Sequence, residues 1–151
     1  MSDTPKAGLT WGMKQSFREY LEGISDLRIE AEGVTSGDAG YFFPLADSTD
    51  LTGLAFRGGL TIRAHRGMLR VILRAPAIEA LDSSPVLTAD VGGRRVGLCT
   101  LREQYSSSPA ERVFDAELLD DGIPVFGDVY AVGTAMDSVV VTLPQATSER
   151  V

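Results

Sequence analysis

The sequence predicts a mainly β protein with one N-terminal amphipathic α-helix, an α+β arrangement built as an antiparallel β-sandwich or a partly open barrel. Helical spacing of apolar residues is clear only near the start of the chain, and the remainder alternates with strand periodicity in short segments. Glycine-containing pairs that suit tight turns, Arg66-Gly67 and Gly92-Gly93, separate several of these segments. Many short strands joined by such turns are typical of sandwiches and barrels.

The predicted helix begins near Met13. Its apolar residues share one helical face: Met13, Phe17, Tyr20, Leu21 and Ile24. Thr10 is the predicted N-cap and Gly23 the predicted C-terminal stop. Polar residues occupy most of the opposite side, so the helix is expected to pack its apolar face on the rest of the domain.

After Gly23 the pattern changes to a period of two. Leu27, Ile29 and Ala31 alternate with charged residues, which predicts a half-buried antiparallel strand. Further strands are predicted at 41–43, 53–57, 60–65, 68–74, 86–91, 96–101, 113–118 and 138–143. Pro124 and two glycines interrupt the segment 120–130, which indicates a short helix or loop. The segment 106–109 is predicted to be a surface loop, and the C-terminus a frayed tail.

Composition limits the classes of function. A chain of 151 residues is expected to form one domain, residues 1–151, and its net charge of −7 argues against nucleic acid and anionic membranes as partners. Cys99 is the single cysteine, which excludes an internal disulfide and predicts a small buried core residue. We find no membrane segment and no signal peptide in the sequence, so we expect a cytoplasmic protein, or an exported one if a signal sequence has been removed.

Enzyme chemistry is hard to assemble from these residues, and we expect no catalytic residue. The chain has no phosphate-binding loop, nucleophile elbow or dinucleotide fingerprint, and a Ser-His-Asp arrangement would require His65, its single histidine. Tyr20 on the helix and His65 at a strand end are the unusual ionisable residues. Taken alone, they fit a core tyrosine with its hydroxyl at the rim and a structural histidine just as well.

The segment Gly8-Leu-Thr-Trp-Gly-Met-Lys-Gln-Ser-Phe-Arg-Glu-Tyr20 resembles the opening of the HtaA haem-binding domain. That family pairs a Leu-x-Trp-Gly-x-Lys start with a Ser-Phe-Arg-x-Tyr continuation. Phe43-Pro44 and the stretch 56–69, where a histidine precedes a glycine and an apolar strand, resemble its central strands. Pro76, 89–91 and 132–137 continue the similarity in order, so the resemblance spans about residues 8–143.

The resemblance implies ferric haem b as the cofactor. Haem-binding members hold the iron by a tyrosinate, with a histidine hydrogen-bonded to the phenolate and a nearby serine assisting, and these correspond to Tyr20, His65 and Ser16. Ser16 lies one helical turn before Tyr20, where it would contact a propionate. Met68, Tyr41 and Tyr130 are candidates for covering the macrocycle. The expected partners are haem and a haem donor or acceptor protein, and a homodimer stays open.

The implied role is haem carriage, buffering or transfer. An anionic oxygen ligand stabilises ferric iron, which suits carriage better than reversible oxygen binding. One alternative is a non-haem binding module that uses the same β scaffold for an apolar ligand or a protein. The other is a haem-dependent enzyme, which ranks last because His65, once engaged by the tyrosinate, leaves no second histidine for acid-base work.

Overall fold

The structure is a computed structural model that describes residues 7–37, 40–46, 53–81, 83–104, 110–128 and 130–143. These residues form one α-helix, α1 (Gln15–Glu22), and eleven strands. The strands are β1 (Gly8–Trp11), β2 (Arg28–Glu32), β3 (Thr35–Gly37), β4 (Gly40–Pro44), β5 (Leu54–Ala55), β6 (Gly59–Ala64), β7 (Leu69–Glu79), β8 (Val86–Val91), β9 (Arg94–Glu103), β10 (Glu111–Leu118) and β11 (Ala135–Thr142). Three single 3₁₀ turns, His65–Gly67, Asp120–Gly122 and Pro124–Phe126, complete the elements.

The strands form one antiparallel, nearly closed, barrel-like sheet. Its order is β2-β6-β7-β8-β9-β10-β11-β1-β4-β3, and β5 pairs with β7 beside this path. Consecutive strands from β6 to β11 are neighbours, whereas β1 lies between β11 and β4 and brings the two ends of the chain together. The predicted fold class, mainly β with one N-terminal helix, is therefore confirmed.

The core fills the inside of this sheet, and α1 packs onto it through Phe17 and Leu21, both buried. The Phe17 ring contacts Phe126 edge-on, with ring centroids 5.9 Å apart. Cys99 is fully buried, as predicted, and burial raises the pKa of its thiol to about 12. Among the residues that the structure describes, no helix has the length and apolar character needed to cross a membrane.

The start of the helix differs from the prediction. Thr10 belongs to β1 and is not an N-cap, because it pairs with Phe42 of β4 and with Val140 of β11. Met13 is buried in the connection, and Lys14 takes the N-cap position without a side-chain cap hydrogen bond. Gly23 is the C-cap, as predicted.

The strand predictions are mostly confirmed, with shifted ends. The segment 86–91 matches β8 residue for residue, whereas β1 and β3 were not predicted. The antiparallel strand predicted around Ile29 is confirmed as β2, but its predicted half-burial is wrong, because all five residues of β2 are exposed. β2 is the end strand of the sheet and pairs with β6, and its Ile29 lines an open cleft opposite α1 instead of a closed core.

The turn predictions hold where the structure describes them. Gly92 and Gly93 both have positive φ, 64° and 96°, as a two-residue hairpin between β8 and β9 requires. Residues 120–126 form two 3₁₀ turns, in agreement with the predicted short helix or loop. The predicted loop at 106–109 and the frayed tail lie outside the described residues.

Candidate functional site

The structure brings Tyr20 and His65 together, although they are 45 residues apart in the chain. The Tyr20 hydroxyl oxygen lies 2.6 Å from Nε2 of His65, a hydrogen bond whose direction depends on the histidine tautomer. The two ring centroids are 6.0 Å apart, and the rings are tilted by 51°. This pair is the centre of the candidate site.

Tyr20 lies at the edge of the apolar face of α1, and 51% of it is exposed. The ring of Phe17, one turn earlier and fully in the core, stacks on the Tyr20 ring with an interplanar angle of 30°. Tyr20 is therefore not the core residue that periodicity alone would suggest. Its ring packs on Phe17, and about half of the residue remains exposed.

Ser16 is exposed on α1, one turn before Tyr20 on the same side of the helix.

The three residues predicted to cover a macrocycle lie in different places. Tyr130 packs against Phe17 with centroids 6.1 Å apart, close to the pair, whereas Tyr41 lines a separate cleft of about 470 Å³ between α1 and strands β2 to β4. Burial raises the pKa of the Tyr41 hydroxyl. Met68 is 90% exposed and directly follows the turn that carries His65.

His65 begins the tight turn between β6 and β7, as the Arg66-Gly67 pair predicted. His65, Arg66 and Gly67 all have left-handed backbone conformations, with φ of 53°, 57° and 86°. For the two residues that carry a Cβ, this conformation costs roughly 1–2 kcal/mol each. The turn therefore needs compensating contacts.

Asp26 supplies such contacts from the loop between α1 and β2. Its Oδ1 accepts the backbone N–H of His65 at 3.0 Å, and its Oδ2 accepts that of Arg66 at 2.6 Å. The N–H groups of Arg66 and then of His65 hold the pKa of the Asp26 carboxyl below its ordinary range. The carboxylate is consequently ionised at neutral pH, with both oxygens available as acceptors.

Asp137 of β11 anchors the start of α1. Its Oδ1 accepts the N–H of Gln15 at 3.0 Å, which replaces the missing side-chain cap of Lys14. Its Oδ2 lies 2.6 Å from Nη1 of Arg18, in an ion pair whose side chains are 28% and 20% exposed. Arg18 also donates to the Gly12 carbonyl oxygen at 2.8 Å.

These contacts explain the opening segment of the sequence. The Trp11 indole N–H donates to the Asp137 carbonyl oxygen at 2.8 Å, and Lys14 Nζ donates to the Ala135 carbonyl oxygen at 2.8 Å. At Gly12 a Cβ would collide with the Arg18 guanidinium. The segment thus attaches the helix that carries Tyr20 to the last strand.

Sequence reasoning missed both carboxylates. Asp137 had a signal, since it ends the stretch 132–137 that continued the family resemblance. Asp26 had none: it is one acidic residue in a loop, and its partners are 39 and 40 residues away.

The fold and site define a β-barrel-like domain with an exposed tyrosine–histidine pair between its helix and one hairpin. The chain matches the Htaa family model over residues 6–142 and belongs to the HtaA family. No curated protein matches it by sequence.

The fold is similar to that of several solved structures. The C-terminal domain of HtaA from Corynebacterium glutamicum is 26% identical, with a TM-score of 0.72 over 92% of this chain and 97% of that one. A domain-swapped dimer of a histidine-to-alanine variant of the same domain is 24% identical, with a TM-score of 0.65 over 95% and 99%. The haem-binding protein HtaB from the same organism shares the fold at 15% identity, with a TM-score of 0.74 over 91% of each chain.

Proposed function

We propose that this protein binds ferric haem b with Tyr20 as the iron ligand, and that it carries, buffers or transfers haem. The observation that carries the proposal is the 2.6 Å hydrogen bond between the hydroxyl of the half-exposed Tyr20 and His65 Nε2. Membership of the HtaA family, and the name of the similar protein HtaB, a haem-binding protein, support it.

The residues fit this cofactor. The described residues contain no group of three or more His, Cys, Asp or Glu side chains able to hold a bare metal ion. Haem iron already has four porphyrin nitrogens, so one protein oxygen completes a five-coordinate site. The exposed Met68 side chain beside the His65 turn offers apolar surface to a macrocycle.

A free tyrosine has a pKa of about 10, so its phenolate is rare at neutral pH. Ferric iron supplies the Lewis acid that favours the phenolate when haem is bound. In its Nε2–H tautomer, His65 would donate a hydrogen bond to the Tyr20 phenolate oxygen and stabilise the negative charge. Ser16, exposed one turn earlier on α1, would hydrogen-bond a propionate.

The exposure of Tyr20 favours carriage and transfer over redox or oxygen chemistry. An iron ligand that is half exposed leaves a route for haem to reach an acceptor protein. With His65 engaged by Tyr20, the chain has no second histidine for acid-base catalysis. We therefore favour a haem carrier over a haem-dependent enzyme.

A haemin titration followed by absorption spectroscopy tests the proposal. The wild type should bind haemin at about one to one and give a high-spin ferric tyrosinate spectrum. Tyr20→Phe keeps the ring that stacks on Phe17 and removes the ligand oxygen, so the protein should fold and bind haemin at least about tenfold more weakly, a loss of roughly 1.4 kcal/mol or more.

Tyr41→Phe is the matched control, because it deletes a tyrosine hydroxyl on the other side of α1 and should leave the spectrum unchanged. An unchanged spectrum in Tyr20→Phe would contradict the ligand assignment. Failure of the wild type to bind haemin would favour the non-haem binding module. Size-exclusion chromatography of the loaded samples distinguishes a monomer from the homodimer that the sequence left open.

A further inference from the structure

We infer that Asp26 is a positioning residue for this site, because its carboxylate fixes the turn that directs the His65 imidazole at the Tyr20 hydroxyl. The inference rests on the proposed function and adds a residue that the family resemblance did not mark. Asp26 makes no described hydrogen bond to the Tyr20 side chain or to the imidazole; its two bonds go to the backbone of the turn, and its charge also interacts with His65.

The geometry is specific to a carboxylate. Two consecutive N–H groups, those of His65 and Arg66, point at the two oxygens of one side chain, at 3.0 Å and 2.6 Å. An asparagine at this position has only one acceptor oxygen and would satisfy one of the two donors. The lowered pKa of Asp26 has the same two N–H groups as its largest causes.

Packing does not fix this turn. All four residues from His65 to Met68 are exposed, and three of them have left-handed φ. A bond from the Met68 N–H to the His65 carbonyl oxygen at 3.1 Å closes the turn on itself, without linking it to the rest of the molecule. The Asp26 bonds link the backbone of the turn to the loop after α1, whereas the bond to Tyr20 involves the His65 side chain.

Asp26 also comes from the right part of the chain. Tyr20 lies in the last turns of α1, and Asp26 follows it by six positions, in the loop just after Gly23. This short segment contacts the hairpin turn twice, through the Tyr20 hydroxyl and through the Asp26 carboxylate. The Asp26 carboxylate holds the backbone of His65 in position. The imidazole that meets the Tyr20 hydroxyl projects from this backbone.

The first test uses the protein without haem. His65 is the single histidine, so its imidazole NMR signals need no separation from others. In Asp26→Ala we expect these signals to move towards those of a solvent-exposed histidine, and the His65 and Arg66 amides to exchange about tenfold faster or more. Asp26→Asn keeps one acceptor oxygen, so its His65 signals and amide exchange should lie between those of the wild type and of Asp26→Ala. This variant is used for the test if Asp26→Ala does not fold.

Asp90→Ala is the matched control. Asp90 accepts the Gly93 N–H at 2.7 Å in the β8–β9 hairpin, so the variant makes the same charge change and loses the same kind of turn bond elsewhere. It should leave the His65 signals unchanged. Unchanged His65 signals in Asp26→Ala would overturn the inference, whatever the haem results.

The second test is a double-mutant cycle on haem release to apomyoglobin. His65→Ala should speed haem release about tenfold or more. Asp26→Ala should speed it by a similar or smaller factor, since residues that orient a metal ligand typically contribute about 10–100-fold. If Asp26 acts through His65, adding Asp26→Ala to His65→Ala should change nothing further. An equal factor in both backgrounds would show a merely structural role and overturn the inference.

The two proposals fail separately. If Tyr20→Phe binds haemin like the wild type, the ligand assignment falls, while the imidazole and amide measurements still decide whether Asp26 positions His65. If Tyr20→Phe loses haem and the cycle is additive, the proposed function stands and the role of Asp26 falls.

Discussion

Two aspartates anchor the elements that carry the site: Asp137 anchors the helix of Tyr20, and Asp26 anchors the turn of His65. They differ in burial. Asp137 binds the first turn of α1 and Arg18 in a partly buried contact, 122 residues from Gln15 in the chain. Asp26 binds the His65 turn on the surface. The comparison indicates that the helix that presents Tyr20 is fixed as part of the fold, whereas the turn that presents His65 is fixed locally. Loss of the Asp137 contact should therefore lower the stability of the fold. Loss of the Asp26 contact should mainly change the position of His65.

The largest expected effect is that of Asp137→Ala. The substitution removes the cap of α1 and leaves the mostly buried Arg18 without its carboxylate, so we expect a loss of about 2 kcal/mol or more in the free energy of unfolding. Urea denaturation of the apoprotein measures this loss. Haem affinity should fall as well, because the helix that carries Tyr20 loses its anchor.

Asp115→Ala is the control for this variant. Asp115 pairs with Arg102 at 3.6 Å, with side chains 45% and 85% exposed, so its removal should cost less than about 1 kcal/mol. Equal losses of unfolding free energy in the two variants would show that Asp137 is an ordinary surface charge. They would contradict the view that it anchors α1 as part of the fold.

A smaller effect is expected from Gly12→Ala. The added methyl group would displace the Arg18 guanidinium from its position between the Gly12 carbonyl oxygen and Asp137, while the bond from Gln15 to Asp137 could persist. We expect a loss of about 1–2 kcal/mol, within the range of strained substitutions in packed regions. Thermal or urea unfolding measures it. Full additivity with Asp137→Ala would argue against a shared Arg18 contact.

The smallest effect concerns Asp26 and pH. Its folded-state pKa is lower than the unfolded value of about 3.9, so its stabilising contribution is present above that value and is lost as the pH falls through the folded pKa. The difference in unfolding free energy between wild type and Asp26→Ala should therefore be present at neutral pH and vanish in strong acid. Urea unfolding of both proteins at several pH values tests this. A difference that persists in strong acid would mean that the Asp26 bonds do not depend on its charge.

The sequence by itself determined the features that depend on neighbouring residues. The apolar face of α1 with its stop at Gly23, the strand 86–91 and the Gly92-Gly93 hairpin all follow from local periodicity and turn chemistry. The family resemblance added Tyr20, His65 and Ser16 as site residues, and their roles toward haem stay predictions.

Only the tertiary structure decided the features that depend on distant residues. Residues 8–11 became β1 because β4 and β11 flank them, and β2 is exposed along its whole length although its residues alternate regularly. The real cap of α1 is Asp137, and the support of the His65 turn is Asp26. A hydrogen bond between residues 40 or 122 positions apart leaves no periodic trace in a single sequence, because its geometry exists only once the strands between them have paired.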